Sequence, residues 1–169
     1  MTTIETDPLV TRDGVRLHVR RAREEDEPAL AAFFARVTPD DLRFRFLSPV
    51  REVRRDWLVA MTSPDDAKDS LIAFDDKGDV IATAMLAGDS AGARAEAAIA
   101  IRGDRKGQGV GWTLLDHLVG HARRRGYTSI ESIEDRANSG AIKLEREMGF
   151  EAVPVEGDPM LVCVRKTLR

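Results

Sequence analysis

The sequence predicts an α+β fold with a mixed, mostly antiparallel central sheet. Strand-like and helical segments alternate along the chain, and three consecutive strand-like segments between residues 71 and 101 are joined by short turns, which predicts an antiparallel meander. After the meander the chain runs helix, strand, helix and two strands, so crossover connections must return it to the sheet. A strand-like run at 95–101 also passes into a helix through three closely spaced glycines, which indicates a specialised loop at that junction.

A β-hairpin and three helices are predicted for the first part of the chain. Asp13-Gly14 lies between two short strand-like runs, as in a tight hairpin turn. Thr38 is a favourable N-cap residue, and Pro39 fits the first turn of the helix that follows. The predicted elements are a hairpin at 9–20 and helices at 27–37, 39–46 and 52–61, the last of which ends before Ser63-Pro64.

The second part of the chain contains the meander and the elements that follow it. The turn Asp75–Asp79 contains a glycine and separates the first two strands. Gly149 follows an amphipathic helix at the position favoured for a helix-ending glycine. The predicted elements are strands at 71–74, 80–87 and 93–101, a helix that ends near 125, a strand at 128–133, a helix at 138–148, and strands at 150–155 and 160–166.

Length and composition fit one globular domain that covers residues 1–169. The chain is 43% hydrophobic and 33% charged, which is ordinary for a soluble protein, and its length supports a core without disulfides. Cys163 is the single cysteine and cannot form an internal disulfide. It lies in the apolar run Met160–Val164, so we expect a buried core residue rather than a nucleophile.

Charge and the remaining motifs argue against several functions. The net charge is −3 and the pI is about 5.7, whereas a nucleic-acid-binding protein normally carries a basic excess. We expect no metal site, because His117 and His121 lie on one helix without a third ligand or an adjoining glutamate motif. The chain has no apolar run of membrane-spanning length, and its first residues do not resemble a signal peptide. We therefore expect a cytoplasmic protein that binds neither nucleic acid nor membranes.

Three glycines mark the junction between the strand-like run at 95–101 and the following helix. Gly107, Gly109 and Gly111 lack a Cβ atom, so a ligand can approach the backbone closely. At the start of a helix the first N–H groups have no intrahelical acceptor, and the helix dipole adds a partial positive charge. These features predict a phosphate-binding loop. Its residues are Lys106, Gly107, Gln108, Gly109, Val110, Gly111 and Trp112.

The spacing of the glycines excludes two common phosphate-binding motifs. A Walker A loop needs Lys and then Ser or Thr after its last glycine, but Trp112 follows Gly111. A dinucleotide fingerprint needs a small residue at Trp112 or at Leu114, depending on the register. The segment 106–111 instead fits the pattern (Gln/Arg)-x-x-Gly-x-(Gly/Ala), with lysine at its first position. The alternative to a phosphate-binding loop is a glycine-rich turn that serves only to pack the helix against its strand.

This pattern resembles the pyrophosphate loop of the GNAT superfamily of N-acetyltransferases, which binds acetyl-CoA. Residues 138–150 also resemble the second GNAT signature, because they follow Asn-x-x-Ala-x-x-Leu-x-x-x-x-Gly-Phe. The resemblance implies a GNAT fold, with helices on both faces of the sheet and two central strands that splay apart to hold the cofactor. It also implies that Asn138 faces acetyl-CoA, and that main-chain groups of Ile99, Ala100 and Ile101 bind its pantetheine arm and thioester. As an alternative, Asn138 is simply the N-cap of its helix.

Glu96 is the one ionisable residue inside the strand that precedes the loop. Strand alternation places it on one face with Ala98 and Ala100, whose small side chains leave space above the sheet. A partly desolvated carboxylate in this place would have a raised pKa and could remove a proton from an ammonium. In GNAT enzymes of the protein-lysine type a glutamate on this strand is the general base, and Glu96 matches its place. The alternative is a structural ion pair with Arg94 or Arg102.

The first half of the chain narrows the resemblance to the catalytic domain of bacterial protein-lysine acetyltransferases. This narrower resemblance is found in segments 12–14, 20–26 and 38–52. It implies that the protein transfers the acetyl group of acetyl-CoA to a lysine of a protein. The alternatives are a small-amine acetyltransferase, a non-catalytic acyl-CoA-binding sensor and an oxidoreductase dinucleotide domain. Many GNAT enzymes have, where this chain has Glu145, a tyrosine that protonates the departing CoA thiolate. In this chain the general acid could therefore be Glu145 or water, or the reaction could proceed without a general acid. The oligomeric state, monomer or homodimer, is also open.

Overall fold

The computed structural model describes residues 8–63 and 65–168. Residues 1–7, on which the absence of a signal peptide was argued, and Pro64, which follows the third predicted helix, lie outside the described residues. Within the described ranges the chain forms eight β-strands and five α-helices. In these same ranges no helix is long and apolar enough to cross a membrane.

The elements follow the predicted order. The strands are β1 (Leu9–Val10), β2 (Arg16–Arg21), β3 (Lys68–Phe74), β4 (Val80–Gly88), β5 (Arg94–Ile101), β6 (Ser129–Asp135), β7 (Glu151–Pro154) and β8 (Leu161–Thr167). The helices are α1 (Glu27–Phe34), α2 (Pro39–Phe46), α3 (Arg55–Thr62), α4 (Val110–Arg124) and α5 (Ser139–Glu147). Short 3₁₀ turns at Glu24–Asp26 and Gly103–Arg105 precede α1 and α4.

The described strands form one sheet in the order β1-β2-β3-β4-β5-β6-β8-β7. Every neighbouring pair is antiparallel except β5 and β6, which are parallel. The parallel pair is possible because α4 carries the chain back across one face before β6 begins. The prediction of a mixed, mostly antiparallel sheet is confirmed.

The two central strands separate part-way along their length. β5 pairs with β6 only through Arg94–Glu96 and Ser129–Glu131. Beyond these residues β5 continues to Ile101 along β4, and β6 continues to Asp135 along β8. A gap therefore opens in the middle of the sheet, which is the splayed strand pair that the resemblance implied.

Helices cover both faces of the sheet. On one face, buried residues of α4 pack with Ala95 and Ala97 of β5 and with Ile130 of β6. On the other face, buried residues of α1 and α3 pack with Ala100 of β5. Because side chains alternate along a strand, Glu96 shares the face of Ala100. The sheet therefore has two helical layers, and Glu96 belongs to the side of α1 and α3.

The starts and ends of two helices beside the gap have local causes. Thr38 caps α2, as predicted, because its Oγ1 accepts a hydrogen bond of 3.2 Å from the Asp41 N–H. α2 ends at Leu47, whose φ of 55° lies in the left-handed region that is uncommon for leucine. α4 begins directly after Gly109, whose φ of 81° is readily adopted only by glycine. These residues fix where α2 stops and where α4 starts.

Three predicted boundaries are wrong by a few residues. α1 ends at Phe34 rather than at 37, because the chain continues there in tighter turns. α3 begins at Arg55 rather than at 52, because an extended backbone before it lets Val53 enter the core. β3 begins at Lys68 rather than at 71, because its pairing with β4 extends that far.

Candidate active site

A cavity of about 510 Å³ occupies the gap between β5 and β6. Its walls come from α2, β5, the glycine loop, β6 and α5. Glu96 and Ala97 both line it, although neighbouring residues of a strand point to opposite faces of the sheet. The cavity therefore passes through the sheet, and a ligand in it has access to groups on both faces.

The glycine loop closes one end of the cavity. Gly107 (φ = 76°) and Gly109 (φ = 81°) adopt left-handed conformations that turn the chain from β5 into α4. The N–H groups of Val110, Gly111 and Trp112 begin α4 and have no intrahelical acceptor. All five residues line the cavity. The loop thus presents backbone donors to the cavity in the arrangement that suits a phosphate.

Close packing of α4 depends on the same glycines. A Cβ atom on Gly109 would lie 3.3 Å from the Cβ of Thr11, and one on Gly111 would lie 3.3 Å from Cδ1 of Ile101. Both distances are tighter than nine in ten real Cβ contacts. The glycines therefore let α4 pack closely against its neighbours, and this packing role does not exclude the binding of a phosphate by the same loop.

The two long polar side chains of the loop have partners within the protein. Lys106 lines the cavity, and its Nζ lies 2.6 Å from Oδ2 of Asp41 on α2. Gln108 does not line the cavity, and its Oε1 accepts a hydrogen bond of 3.4 Å from Arg105. Of the loop residues predicted to bind the cofactor, Gln108 is the one that lies outside the cavity lining.

β5 forms a wall of the cavity beyond its last pairing with β6. Ile99, Ala100 and Ile101 all line the cavity. One edge of their main chain pairs with β4, and the other edge faces the gap because the pairing with β6 ends at Glu96. Main-chain N–H and C=O groups on the gap side are therefore available to a ligand.

Glu96 lies where the two strands part. Its side chain lines the cavity and forms no ion pair with any other residue in the described ranges. The arginines considered as structural partners are engaged elsewhere. Arg94 Nε lies 3.3 Å from Oε1 of Glu131, and Arg102 Nε lies 2.7 Å from Oδ1 of Asp104. The structural ion pair that was the alternative role of Glu96 is not formed.

The surroundings of Glu96 alter its acidity. Burial raises the pKa of Glu96, and the nearby carboxylate of Glu131 raises this pKa further. The guanidinium of Arg45 acts in the opposite direction, because a positive charge favours the ionised carboxylate. A carboxylate with a raised pKa accepts a proton more readily than an ordinary glutamate does, which is the property required of a general base.

Arg45 of α2 lines the same cavity and was not predicted as a site residue. Its Nε is buried without a hydrogen-bond partner among the described residues. Burial lowers the pKa of Arg45, and the charge of Glu96 partly offsets this effect. A guanidinium with an unused buried donor is suited to binding an anionic group. The sequence did not distinguish it from Arg43, which instead pairs with Asp135 at 3.0 Å.

The wall opposite β5 carries hydrogen-bonded polar side chains. Ser132 Oγ donates to Oε1 of Glu134 (2.7 Å), and Asn138 Nδ2 donates to Oε2 of Glu134 (3.3 Å). Asn138 lines the cavity, which is the position that the resemblance implied. It is the N-cap residue of α5, but its side chain makes no capping hydrogen bond. Asn138 therefore stands at the predicted N-cap position, and the contact of its side chain with a cofactor stays a prediction.

Glu145, in the last part of α5, belongs to the same wall. It is 5% exposed, and its Oε1 has no hydrogen-bond partner among the described residues. Burial raises the pKa of Glu145 to about 10, assisted by the neighbouring carboxyl group of Glu134. Glu145 is therefore a neutral carboxylic acid near pH 7. The sequence left its role open, because its burial and its neighbour depend on how α5 packs against β6.

Cys163 has no part in this chemistry. It is buried in β8, as predicted, and its Sγ donates a hydrogen bond of 2.8 Å to Oε2 of Glu131. Burial and this hydrogen bond raise the pKa of the Cys163 thiol to about 12, so the thiol is protonated and unreactive. Within residues 8–63 and 65–168, no cluster of His, Cys, Asp and Glu side chains is arranged to hold a metal ion.

Comparison with known proteins identifies the family. Residues 24–150 match the family model of the acetyltransferase (GNAT) family. The chain belongs to the GNAT acetyltransferase family. It is an N-acetyltransferase, and the family resemblance seen in the glycine loop and in residues 138–150 is confirmed.

Similar proteins agree with this assignment. Acetyltransferase PA5475 of Pseudomonas aeruginosa is 28% identical over 142 residues, which cover 82% of this chain and 76% of that protein. The GNAT domain of S. lividans PAT superposes with a TM-score of 0.88 at 24% identity, covering 99% of this chain and 100% of that chain. A spermidine N-acetyltransferase from Vibrio cholerae, in complex with CoA and spermine, has a TM-score of 0.73 at 18% identity, covering 89% of this GNAT chain and 95% of that one. The two solved structures share the fold.

Proposed function

We propose that this GNAT enzyme transfers the acetyl group of acetyl-CoA to a lysine side chain of a protein, with Glu96 as the general base. The observation that carries the proposal is the Glu96 carboxylate, which forms no ion pair among the described residues and lies where β5 and β6 part, in the cavity that the glycine loop closes. The fold similarity to the GNAT domain of S. lividans PAT over 99% of the chain supports it.

In this proposal acetyl-CoA lies along the cavity, with its diphosphate at the glycine loop and its thioester near Glu96. The N–H groups of 110–112 and the loop residues before them bind the diphosphate. The gap-facing main chain of 99–101 holds the pantetheine arm and polarises the thioester carbonyl. Asn138 contacts the cofactor from the opposite wall. The cavity volume of about 510 Å³ falls in the range of small-molecule sites.

The reaction needs a base because only a neutral amine attacks a thioester. A lysine side chain is almost entirely protonated near pH 7, since its pKa is about 10.4. Glu96 removes this proton, directly or through a water molecule. The raised pKa of Glu96 makes the transfer less unfavourable than it would be to an ordinary glutamate.

Arg45 favours a second candidate, an N-acetyltransferase for a small amine that also carries a carboxylate. Such an acceptor can place its carboxylate on the unused donor of Arg45 and its amine beside Glu96. The side chain of a protein lysine carries no carboxylate close to its amine. The non-catalytic acyl-CoA sensor remains the third candidate, and it requires no acceptor at all.

Acetyl transfer to a panel of acceptors distinguishes these candidates. The panel contains lysine peptides, free amino acids and polyamines, and the release of CoA from acetyl-CoA is measured for each. The proposal predicts the highest kcat/KM for lysine peptides. A higher kcat/KM for free amino acids would favour the carboxylate-bearing acceptor, and binding of CoA without transfer to any acceptor would favour the sensor.

A further inference from the structure

Two buried glutamates in the wall formed by β6 and α5 have no role in the steps described above. Glu134 and Glu145 are 9% and 5% exposed, both line the cavity, and Glu134 lies close enough to Glu145 to raise its pKa. Two carboxyl groups in contact in a buried site do not both ionise, so the pair retains a proton. This proton lies in the wall of the cavity in which the thioester is proposed to bind.

We propose that this pair is the general acid of acetyl transfer, with Glu145 donating its proton to the departing CoA thiolate. The inference rests on the proposed binding of acetyl-CoA in the cavity. Oε1 of Glu145 has no hydrogen-bond partner among the described residues, although Glu145 is almost fully buried and lines the cavity. Such an unpaired buried oxygen is costly unless a ligand engages it.

Burial and the neighbouring carboxyl group place a proton on Glu145. Both raise the pKa of Glu145, and they outweigh the opposite effect of a hydrogen bond from Ser132. Both oxygens of Glu134 accept hydrogen bonds, one from Ser132 and one from Asn138. The proton therefore resides on Glu145, and Glu134 is held beside it.

The proposed base and the proposed acid lie on opposite faces of the sheet. Glu96 shares the face of Ala100, which packs with α1 and α3. Glu134 shares the face of Ile130, which packs with α4. An amine that enters beside Glu96 approaches the thioester from one side of the gap, and Glu145 lies on the other side. Base and acid are thus placed where the acceptor arrives and where the thiolate leaves.

The proposed step conserves atoms and charge. The nitrogen of the neutral amine forms a bond to the acetyl carbon, the C–S bond breaks, and its electron pair moves to sulfur. The bonded nitrogen is now cationic and loses its second proton to Glu96, which has by then passed the first proton of the ammonium to solvent. Glu145 gives its own proton to the sulfur. The products are the amide and the CoA thiol. Glu145 then takes up a proton from solvent, because two adjacent buried carboxylates are unfavourable, and Glu96 releases one.

The substitution Glu145→Gln removes the transferable proton and preserves the size of the side chain. We expect kcat to fall by about 100-fold or more, in the range typical of a lost general acid, while the KM for acetyl-CoA stays close to that of wild type. Glu147→Gln is the matched control, because Glu147 lies on the same helix but is exposed and does not line the cavity. The control should match wild type in both kinetic constants. A wild-type kcat in Glu145→Gln would overturn the inference.

An infrared measurement on the Glu96→Gln variant tests the inference even if Glu145→Gln fails to fold. Asp and Glu side chains of ordinary pKa are ionised at about pH 8, and Glu96, whose pKa is raised, is absent from this variant, so a band of a protonated carboxylic acid at that pH reports the buried pair. Absence of this band would overturn the inference.

Activity of the wild-type enzyme separates the proposed function from the proposed role of Glu145. If wild type transfers acetyl to no acceptor, the proposed function fails. If wild type and Glu145→Gln transfer equally fast, only the role of Glu145 fails.

Discussion

The two walls of the cavity differ in how the chain encodes them. One wall is a single stretch, 96–112, in which β5, the glycine loop and the start of α4 follow one another. The other wall brings together Ser132, Glu134, Asn138 and Glu145, which come from β6, the following turn and the far end of α5. A wall made from consecutive residues can be identified from spacing and alternation, whereas an assembled wall becomes visible only when the packing of α5 on β6 is known.

The walls also differ in their charge. The β5 wall presents a carboxylate, Glu96, with Arg45 close enough to influence its pKa. The opposite wall presents a neutral acid, Glu145, next to the hydrogen-bonded Glu134. In the proposed mechanism, one wall accepts a proton and the other donates one. Substitutions on each wall should therefore produce different kinetic signatures.

The largest effect is expected for Glu96→Gln. Because the amide cannot accept the proton of the amine, kcat should fall by about 10² to 10⁴-fold near neutral pH, while the affinity for acetyl-CoA is retained. The deficit should shrink as the pH approaches the pKa of the acceptor, about 10.4 for lysine, because the amine then deprotonates without help. Rates measured across this pH range test the prediction, and a deficit that does not change with pH would argue against a base.

A smaller effect is expected for Gly109→Ala in the glycine loop. Alanine at φ = 81° is strained, and its Cβ would lie 3.3 Å from Thr11. Strain of about 1–3 kcal/mol corresponds to an increase of about 5- to 150-fold in the KM for acetyl-CoA. Gly157→Ala is the matched control, because Gly157 has φ = 84° with open space around it and does not line the cavity. Equal KM values in the two variants would show that the loop does not bind the cofactor.

Arg45→Met should move the pH profile rather than abolish activity. Glu96 acts only when ionised, so activity falls as the pH drops through its pKa. Arg45 lowers that pKa, so its removal should raise the pKa and shift the acid limb of kcat/KM to higher pH. Arg43→Met removes a cation from the same helix, but that cation pairs with Asp135. The acid limb of Arg43→Met should therefore stay at the wild-type pH. A shift of the acid limb to lower pH in Arg45→Met would contradict the conclusion that Arg45 lowers the pKa of Glu96.

The smallest effect is expected for Asp41→Asn, which removes the carboxylate 2.6 Å from Lys106. The Lys106 side chain is 49% exposed, and ion pairs exposed to this extent contribute about 1 kcal/mol or less. The melting temperature should therefore change little, and the KM for acetyl-CoA should shift by no more than about fivefold. Thermal unfolding and steady-state kinetics measure both quantities. A loss of folding would show that this ion pair supports α2 more strongly than its exposure indicates.

The order of elements, the glycine loop and Glu96 were predictable because they depend on local patterns. Hydrophobic alternation located β5, and the spacing of Gly107, Gly109 and Gly111 located the start of α4. Arg45 was not predictable as a site residue, and Glu145 was predicted only as one of three possibilities for the general acid. Their properties depend on the burial created when α2 packs near β5 and α5 near β6, and no short-range pattern in the sequence records that burial.

A crystal structure of the protein with bound CoA tests the central claim most directly. We expect the diphosphate to accept hydrogen bonds from the N–H groups at the start of α4, and the sulfur to lie in the gap between Glu96 and Glu145. A complex in which the gap is empty, or in which Glu96 turns away from the sulfur into an ion pair, would contradict the proposed mechanism.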